Sequence, residues 1–290
     1  MSDVLTAIAQ VSILVFVVSS MIALGLSLTV QQILTPLKNA RLVITGLVLS
    51  FIVAPAASWG IAQLFGLGDD QTLGLLLLGV AAGAPFLPKL AHMAKGDVPY
   101  SVGLMVLLMV VTVIYIPLVL PLLVDGVEVS AWDIAKPLVL LMLLPLILAL
   151  IVRGRYPESA NLAPRMNQIS STGLAIGLGA GILVALPSIW DQIGTGLLLA
   201  TIVFVVLLLI IGYFTGGSTR EHKVVTSLGT TQRNLSAALL IAGTSFIDTP
   251  TVLVAVMVAS LLLTAALLLT AGEMGKRAKP SADAATSDAN

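Results

Sequence analysis

The feature that most constrains this chain is a polar knot set inside apolar sequence. Lys223-Val-Val-Thr-Ser-Leu-Gly-Thr-Thr-Gln-Arg-Asn-Leu-Ser-Ala-Ala-Leu-Leu240 starts and ends apolar, but Gly229-Thr-Thr-Gln-Arg-Asn234 has no large apolar side chain. The flanks are long and apolar enough to lie in a bilayer. At ~1.5 Å rise per residue, Arg233 lies roughly 15 Å from Lys223, about half of a ~30 Å hydrocarbon core. A guanidinium at that depth is costly and too far from either surface to escape by snorkelling. It must face protein or water. A helix interrupted at the midplane is a common element of transport sites.

The rest of the chain fits a membrane setting. Of 290 residues, 58% are apolar and 10% charged, against ~25% charged in a soluble domain. Nine apolar segments can be drawn, at about 5–30, 41–65, 71–93, 98–124, 134–152, 166–186, 193–214, 221–242 and 251–271. Each is near the ~20 residues of a spanning helix. The first lacks a basic n-region and is too long for a cleavable signal. With cysteine absent and net charge zero, there is no thiolate site and no basic domain for nucleic acid.

Charge sets the expected orientation. Alternate loops and the C-terminal tail hold Lys38, Arg41, Lys95, Arg153, Arg155, Arg165, Arg220, Lys223, Lys276, Arg277 and Lys279. The opposite side holds Asp3, Asp69, Asp70, Asp125, Glu128, Asp133, Asp191 and Asp248, with Lys136 as its one basic residue. This places the N-terminus outside and the C-terminus in the cytoplasm, in a multi-pass inner-membrane protein. Trp59, Trp132 and Trp190 fall near outer ends, where an aromatic belt would lie.

The third segment mirrors the eighth. Pro85 and Pro88 remove backbone donors and disfavour helix before them, and Lys89 follows directly. Two interrupted segments, each with a cation at its break and running in opposite directions, predict an inverted repeat. The expected fold class is an all-α polytopic membrane protein of nine transmembrane helices, with two inverted repeats and two broken crossing helices. The transporter domain would be residues 1–272: repeat one at about 5–124, a connector helix at 134–152 and repeat two at about 166–272. Residues 273–290 would form a disordered cytoplasmic tail. Non-helical backbone is expected near 84–88 and 229–233, with Pro85, Pro88 and Gly229 as the breaking residues.

A broken helix exposes N-terminal amides, which favour negative charge. Lys89 and Arg233 add two cations, while Thr230, Thr231, Gln232, Asn234 and Ser236 add hydroxyls and amides. No acidic residue lies deep in any segment, so an organic anion is the expected counter-charge. Bland readings stand beside this one. Lys89 could snorkel towards the inner face, and Arg233 could bond the exposed carbonyls of the partner helix. No nucleophile set, metal cluster or resident cofactor is visible, which argues against an enzyme.

From its start to about residue 271 the chain resembles the bile acid:sodium symporter family. The matching features are Met21-Ile-Ala-Leu-Gly-Leu-Ser-Leu-Thr29, Phe51-Ile-Val-Ala-Pro55, Ala94-Lys-Gly-Asp-Val98 and the stretch 226–239 around Gln232. The resemblance implies sodium symport of a small organic anion by alternating access, with Gln232 and Ser101 at sodium positions. Four family ligands are replaced. Leu87-Pro88 stands for a Ser-Asn pair, Leu228 for a Glu and Ser50 for a Gln, so most ligands of a hard cation are missing. A second reading follows: a sodium-independent uniporter or a proton-coupled carrier. Lys89 and Arg233 would replace the ion, or Lys89 or His92 would titrate. The expected partners are the anion and the lipid bilayer.

Overall fold

The computed structural model describes residues 2–123 and 131–278, and every regular element among them is a helix. The first span, α1 (Ser2–Ser27), leads into α2 (Val30–Leu34), which Thr29 and Gln32 start with a reciprocal capping box. Asn39 caps α3 (Ala40–Val48), which continues through one π turn (Leu49–Val53) into α4 (Ala54–Leu64). The π turn sits just before Pro55. Its wider winding absorbs the missing N–H and the clash of the proline ring. The same device recurs later, where α8 (Ala131–Leu138), a π turn (Val139–Leu143) and α9 (Leu144–Arg155) pass Pro145.

Between them lie two short helices, α5 (Asp69–Val80) and α6 (Leu87–Met93), and the long α7 (Val98–Leu123). After α9 come α10 (Ala163–Ile193), α11 (Leu197–Thr215), α12 (Arg220–Thr231), α13 (Leu235–Ser245) and α14 (Pro250–Lys276). Pro250 opens α14 where no N–H is needed.

Among the described residues, six helical stretches are long and apolar enough to cross a membrane: Ala7–Ser27, Ala40–Leu64, Val98–Leu123, Ile134–Arg155, Leu197–Thr215 and Pro250–Lys276. The expected third and eighth spans are each divided into two helices too short to qualify alone. The expected sixth lies within α10. The tail boundary moves. α14 runs to Lys276 rather than stopping at 272, and Glu273 pairs with Lys276 and Arg277 one turn on. Residues 279–290 of the expected tail lie outside the described residues, as do Asp125 and Glu128.

Small residues set the closest helix contacts. Gly173 of α10 lies against Ser12 and Phe16 of α1, and Gly177 against Ala9 and Ile13. Rising number on one helix meets falling number on the other, so the pair is antiparallel. Many apolar side chains on the outside, among them Ile44, Leu118, Leu148, Ile151, Leu199 and Phe214, are exposed, as lipid-facing residues are.

The two ends of the bundle are tied differently. At one end the Arg220 guanidinium donates to the carbonyls of Ala94, Lys95 and Met274, and His222 Nε2 lies 3.2 Å from Asp97 Oδ2. The base of α12 is thus fixed to the end of α6, the start of α7 and the end of α14. At the other end Thr251 donates to Asp70, joining the starts of α14 and α5. The broken segments α5–α6 and α12–α13 therefore run in opposite directions.

Candidate functional site

α5 stops at Val80 and α6 starts at Leu87; α12 stops at Thr231 and α13 starts at Leu235. The two gaps, 81–86 and 232–234, meet. Ala82 and Arg233 form an isolated antiparallel bridge, and the Asn234 N–H donates to the Ala81 carbonyl at 2.8 Å. At this crossing the carbonyl ends of α5 and α12 meet the amide ends of α6 and α13, where Pro88 has no N–H and the Leu87, Leu235 and Ala237 N–H groups donate to Ala84, Arg233 and Asn234.

The first gap opens about three residues before the expected 84–88. Gly83 is the reason. It has φ +74°, and a Cβ there would lie 2.2 Å from the Met109 nitrogen and 2.7 Å from the Met105 carbonyl oxygen. Only glycine fits so close to α7 with that backbone. Thr112 of α7, fully buried, then holds the neighbouring residue: its hydroxyl accepts from the Ala82 N–H at 3.0 Å and donates to the Ala82 carbonyl at 2.9 Å. Pro85 lies in the turn. Pro88 lies in the first turn of α6, where a missing donor costs nothing.

The second gap is also displaced, from 229–233 to 232–234, and Gly229 is not a breaking residue. It lies inside α12 and packs under Leu87 and Leu104. The helix survives the polar run because Thr230 donates to the Thr226 carbonyl and Thr231 to the Ser227 carbonyl, both at 2.8 Å. Their hydroxyls are satisfied within α12 and do not compete with its ladder. Asn234 does the work of a cap. Its Oδ1 accepts from the Ala237 N–H at 3.1 Å, and its Nδ2 donates to the Gly83 carbonyl at 2.9 Å. Arg233, 3% exposed, donates from Nη1 to the Gly79 carbonyl at 2.9 Å, from Nη2 to the Thr230 carbonyl and from Nε to the Gln232 carbonyl at 3.2 Å.

A cavity of about 520 Å³ opens beside the crossing. Ala84 to Phe86, Pro88 and Lys89 line it from the first broken segment, and Gln232, Arg233, Leu235 and Ser236 from the second. The facing wall is mixed. Phe16, Leu24, Leu174 and Leu263 alternate with Ser20, Asn167, Ser170 and Ser171. Among the described residues, no acidic side chain lines it. Lys89 is exposed there, its ammonium 5.2 Å from the centre of the Phe86 ring. Gln232 is 6% exposed, and its Oε1 is buried with no partner.

The structure thus brings Lys89, Gln232 and Arg233 together on one cavity. It does not bring Thr230, Thr231, Asn234 or Ser101 to the lining. The Ser101 hydroxyl instead donates to Val98 within its own helix at 2.6 Å. His92 is exposed on the last turn of α6, off the cavity. Sequence reasoning passed over Thr112, a lone hydroxyl in a long apolar helix. It also passed over the Asn167, Ser170 and Ser171 stripe, whose spacing of three and four residues on α10 was the available signal.

The matching family model is described as the Sodium Bile acid symporter family, and it covers residues 13–191. An Arabidopsis thaliana protein described as a probable sodium/metabolite cotransporter of the chloroplast is 24% identical over 196 residues. The match takes in 67% of this chain and 46% of that protein, so the chain spans about half the length of the curated relative it matches. The family match includes the first broken segment. The reading of the second rests on its geometry.

Proposed function

The chain belongs to the sodium bile acid symporter family, and on that premise we propose that it moves a small organic anion across the membrane by alternating access. It is a membrane transport protein and not an enzyme. One observation carries the anion reading: the cavity at the crossing has Lys89 exposed on it, the start of α13 beside it, and no acidic residue among the described residues of its walls. An anion there meets positive charge on one wall and hydroxyl or apolar groups on the other.

The proposed architecture is the nine-span inverted repeat, with repeat one at about 5–124, the connector at 134–152 and repeat two at about 166–272. The antiparallel broken segments and their bridge support the pairing. The basic residues near Arg220 and the acidic Asp70 at the other end support a cytoplasmic C-terminus in an inner membrane.

Sodium symport is the coupling that the family's name supports. A second reading, sodium-independent or proton-coupled transport, is favoured by Arg233 bonding the carbonyl ends of α5 and α12 and by Leu228 where the resemblance expects a Glu.

Uptake of labelled cholate, butyrate and succinate into proteoliposomes, with sodium or potassium outside, tests the function. Saturable uptake of at least one is expected. Lys89→Met should lower affinity by more than tenfold, since truncating one partner of a desolvated charge pair costs about 2–5 kcal/mol and ~1.4 kcal/mol is a decade. No saturable uptake, or a Lys89→Met variant that transports as the wild type does, would sink the reading.

A further inference from the structure

The two cations that the sequence treats alike are in different electrical situations. Arg233 is the one charged residue among the buried described residues, and no carboxylate pairs with it there. Three of its five N–H donors go to backbone carbonyls, and two of those carbonyls, of Gly79 and Thr230, belong to the last turns of α5 and α12. Each helix C-terminus carries about half a negative charge, so two converging ends sum to roughly one. A single guanidinium balances them. In carriers built from broken helices, such carbonyl ends are where a coupling cation is coordinated. Lys89 bonds no carbonyl and no carboxylate; it is exposed on the cavity over Phe86.

We propose that Arg233 is a tethered counter-ion that fills the cation position between the carbonyl ends of α5 and α12, and that Lys89 alone supplies side-chain charge to the transported anion. The inference rests on the organic-anion reading of this cavity. It assigns Arg233 as a positioning residue that locks the crossing, and it narrows the substrate to a monoanion. With Arg233 neutralised by the helix ends, a dianion would leave one charge uncompensated in the site. It also makes the crossing independent of sodium.

The test uses the full chain in detergent. Wild-type protein should have the same melting midpoint in sodium and in potassium. Arg233→Ala should melt at least about 5 °C lower. It should regain most of that loss in methylguanidinium chloride, but not in tetramethylammonium chloride at the same ionic strength. A merely structural side chain would show no such cation selectivity. Restored in this way, Arg233→Ala should bind cholate and butyrate within about threefold of the wild type. Lys89→Met should keep the wild-type midpoint and lose more than tenfold in affinity. Should Arg233→Ala fail to accumulate, Arg233→Gln is purified with methylguanidinium present, and removing the cation should lower its midpoint.

The inference is overturned if neither Arg233 variant responds to methylguanidinium, or if the restored variant still loses the anions. Preference of the wild type for succinate over butyrate also overturns it, as does a sodium-dependent wild-type midpoint. A wild type that binds none of these anions defeats the transport reading instead. The cation response of the Arg233 variants does not depend on that binding, so the two failures are separable.

Discussion

The two broken segments reach the same crossing by opposite means. The first interruption spans six residues, 81–86, and is imposed on the backbone. Gly83 takes a left-handed turn against α7, Pro85 follows, and the hydroxyl that holds Ala82 is borrowed from Thr112. The second spans three residues, 232–234, and contains neither glycine nor proline. Its own side chains satisfy what the break exposes. Arg233 takes the carbonyls, and Asn234 accepts from the Ala237 amide of α13 and donates to the Gly83 carbonyl across the gap. A helix can therefore be stopped by residues that cannot continue it, or by residues that make stopping cheap. The first kind depends on its neighbours; the second carries its compensation with it.

If that contrast is right, the largest effect should come from Gly83. Gly83→Ala forces a Cβ into the backbone of Met109 and a left-handed φ onto an L residue. Off-region backbone and overpacking together cost on the order of 4 kcal/mol. The expected outcome is a large fall in melting midpoint, or little folded protein recovered by size exclusion. A stable Gly83→Ala would mean that the first break is not imposed by its fit to α7, and the comparison would fail.

The next effect should come from the borrowed hydroxyl. Thr112→Val keeps the shape of the side chain but leaves the Ala82 N–H and carbonyl without their partner. Each unsatisfied buried group costs about 1–3 kcal/mol, so the two together predict a loss of roughly 2–6 kcal/mol in chemical unfolding. Thr112→Ser should recover most of it. Equal losses in Val and Ser would point to packing and away from the hydrogen bonds.

Much of this arrangement was legible in the sequence. Six spans were visible because lipid-facing residues must be apolar over ~20 positions. The breaks were visible because Pro85, Pro88 and the run 229–234 contradict a continuous apolar helix. Their limits were not, and for a physical reason. Whether a polar residue ends a helix depends on where its hydrogen bond goes. Thr230 and Thr231 turn theirs back on the preceding turn, so α12 runs through Thr230 and ends only at Thr231. Thr112 was illegible for the same reason, since its partner is 30 residues away in sequence. The division of labour between Lys89 and Arg233 was also hidden. Both are cations beside breaks, and only the placement of the carbonyl ends of α5 and α12 tells them apart.

The smallest expected effect sharpens the comparison most finely, because it concerns a glycine that resembles Gly83 in sequence but not in structure. Gly229 lies within α12, away from the left-handed region, and a Cβ there would approach Leu87 Cδ2 at 3.0 Å and Leu104 Cδ2 at 3.1 Å. Both are ends of flexible side chains, which can shift by a few tenths of an ångström. Two terms oppose each other in Gly229→Ala. Removing glycine from a helix interior gains up to about 1 kcal/mol, and crowding two leucine methyls costs about 1 kcal/mol or more, the low end of overpacking. The sum should lie within roughly 1 kcal/mol of zero, so the melting midpoint should move little and anion affinity hardly at all. Had Gly229 been the residue that breaks the helix, Ala would cost as much as it does at Gly83 and would displace Gln232 and Arg233 from the crossing. A large loss at Gly229 together with a small one at Gly83 would invert the account of which break is imposed and which is self-compensated.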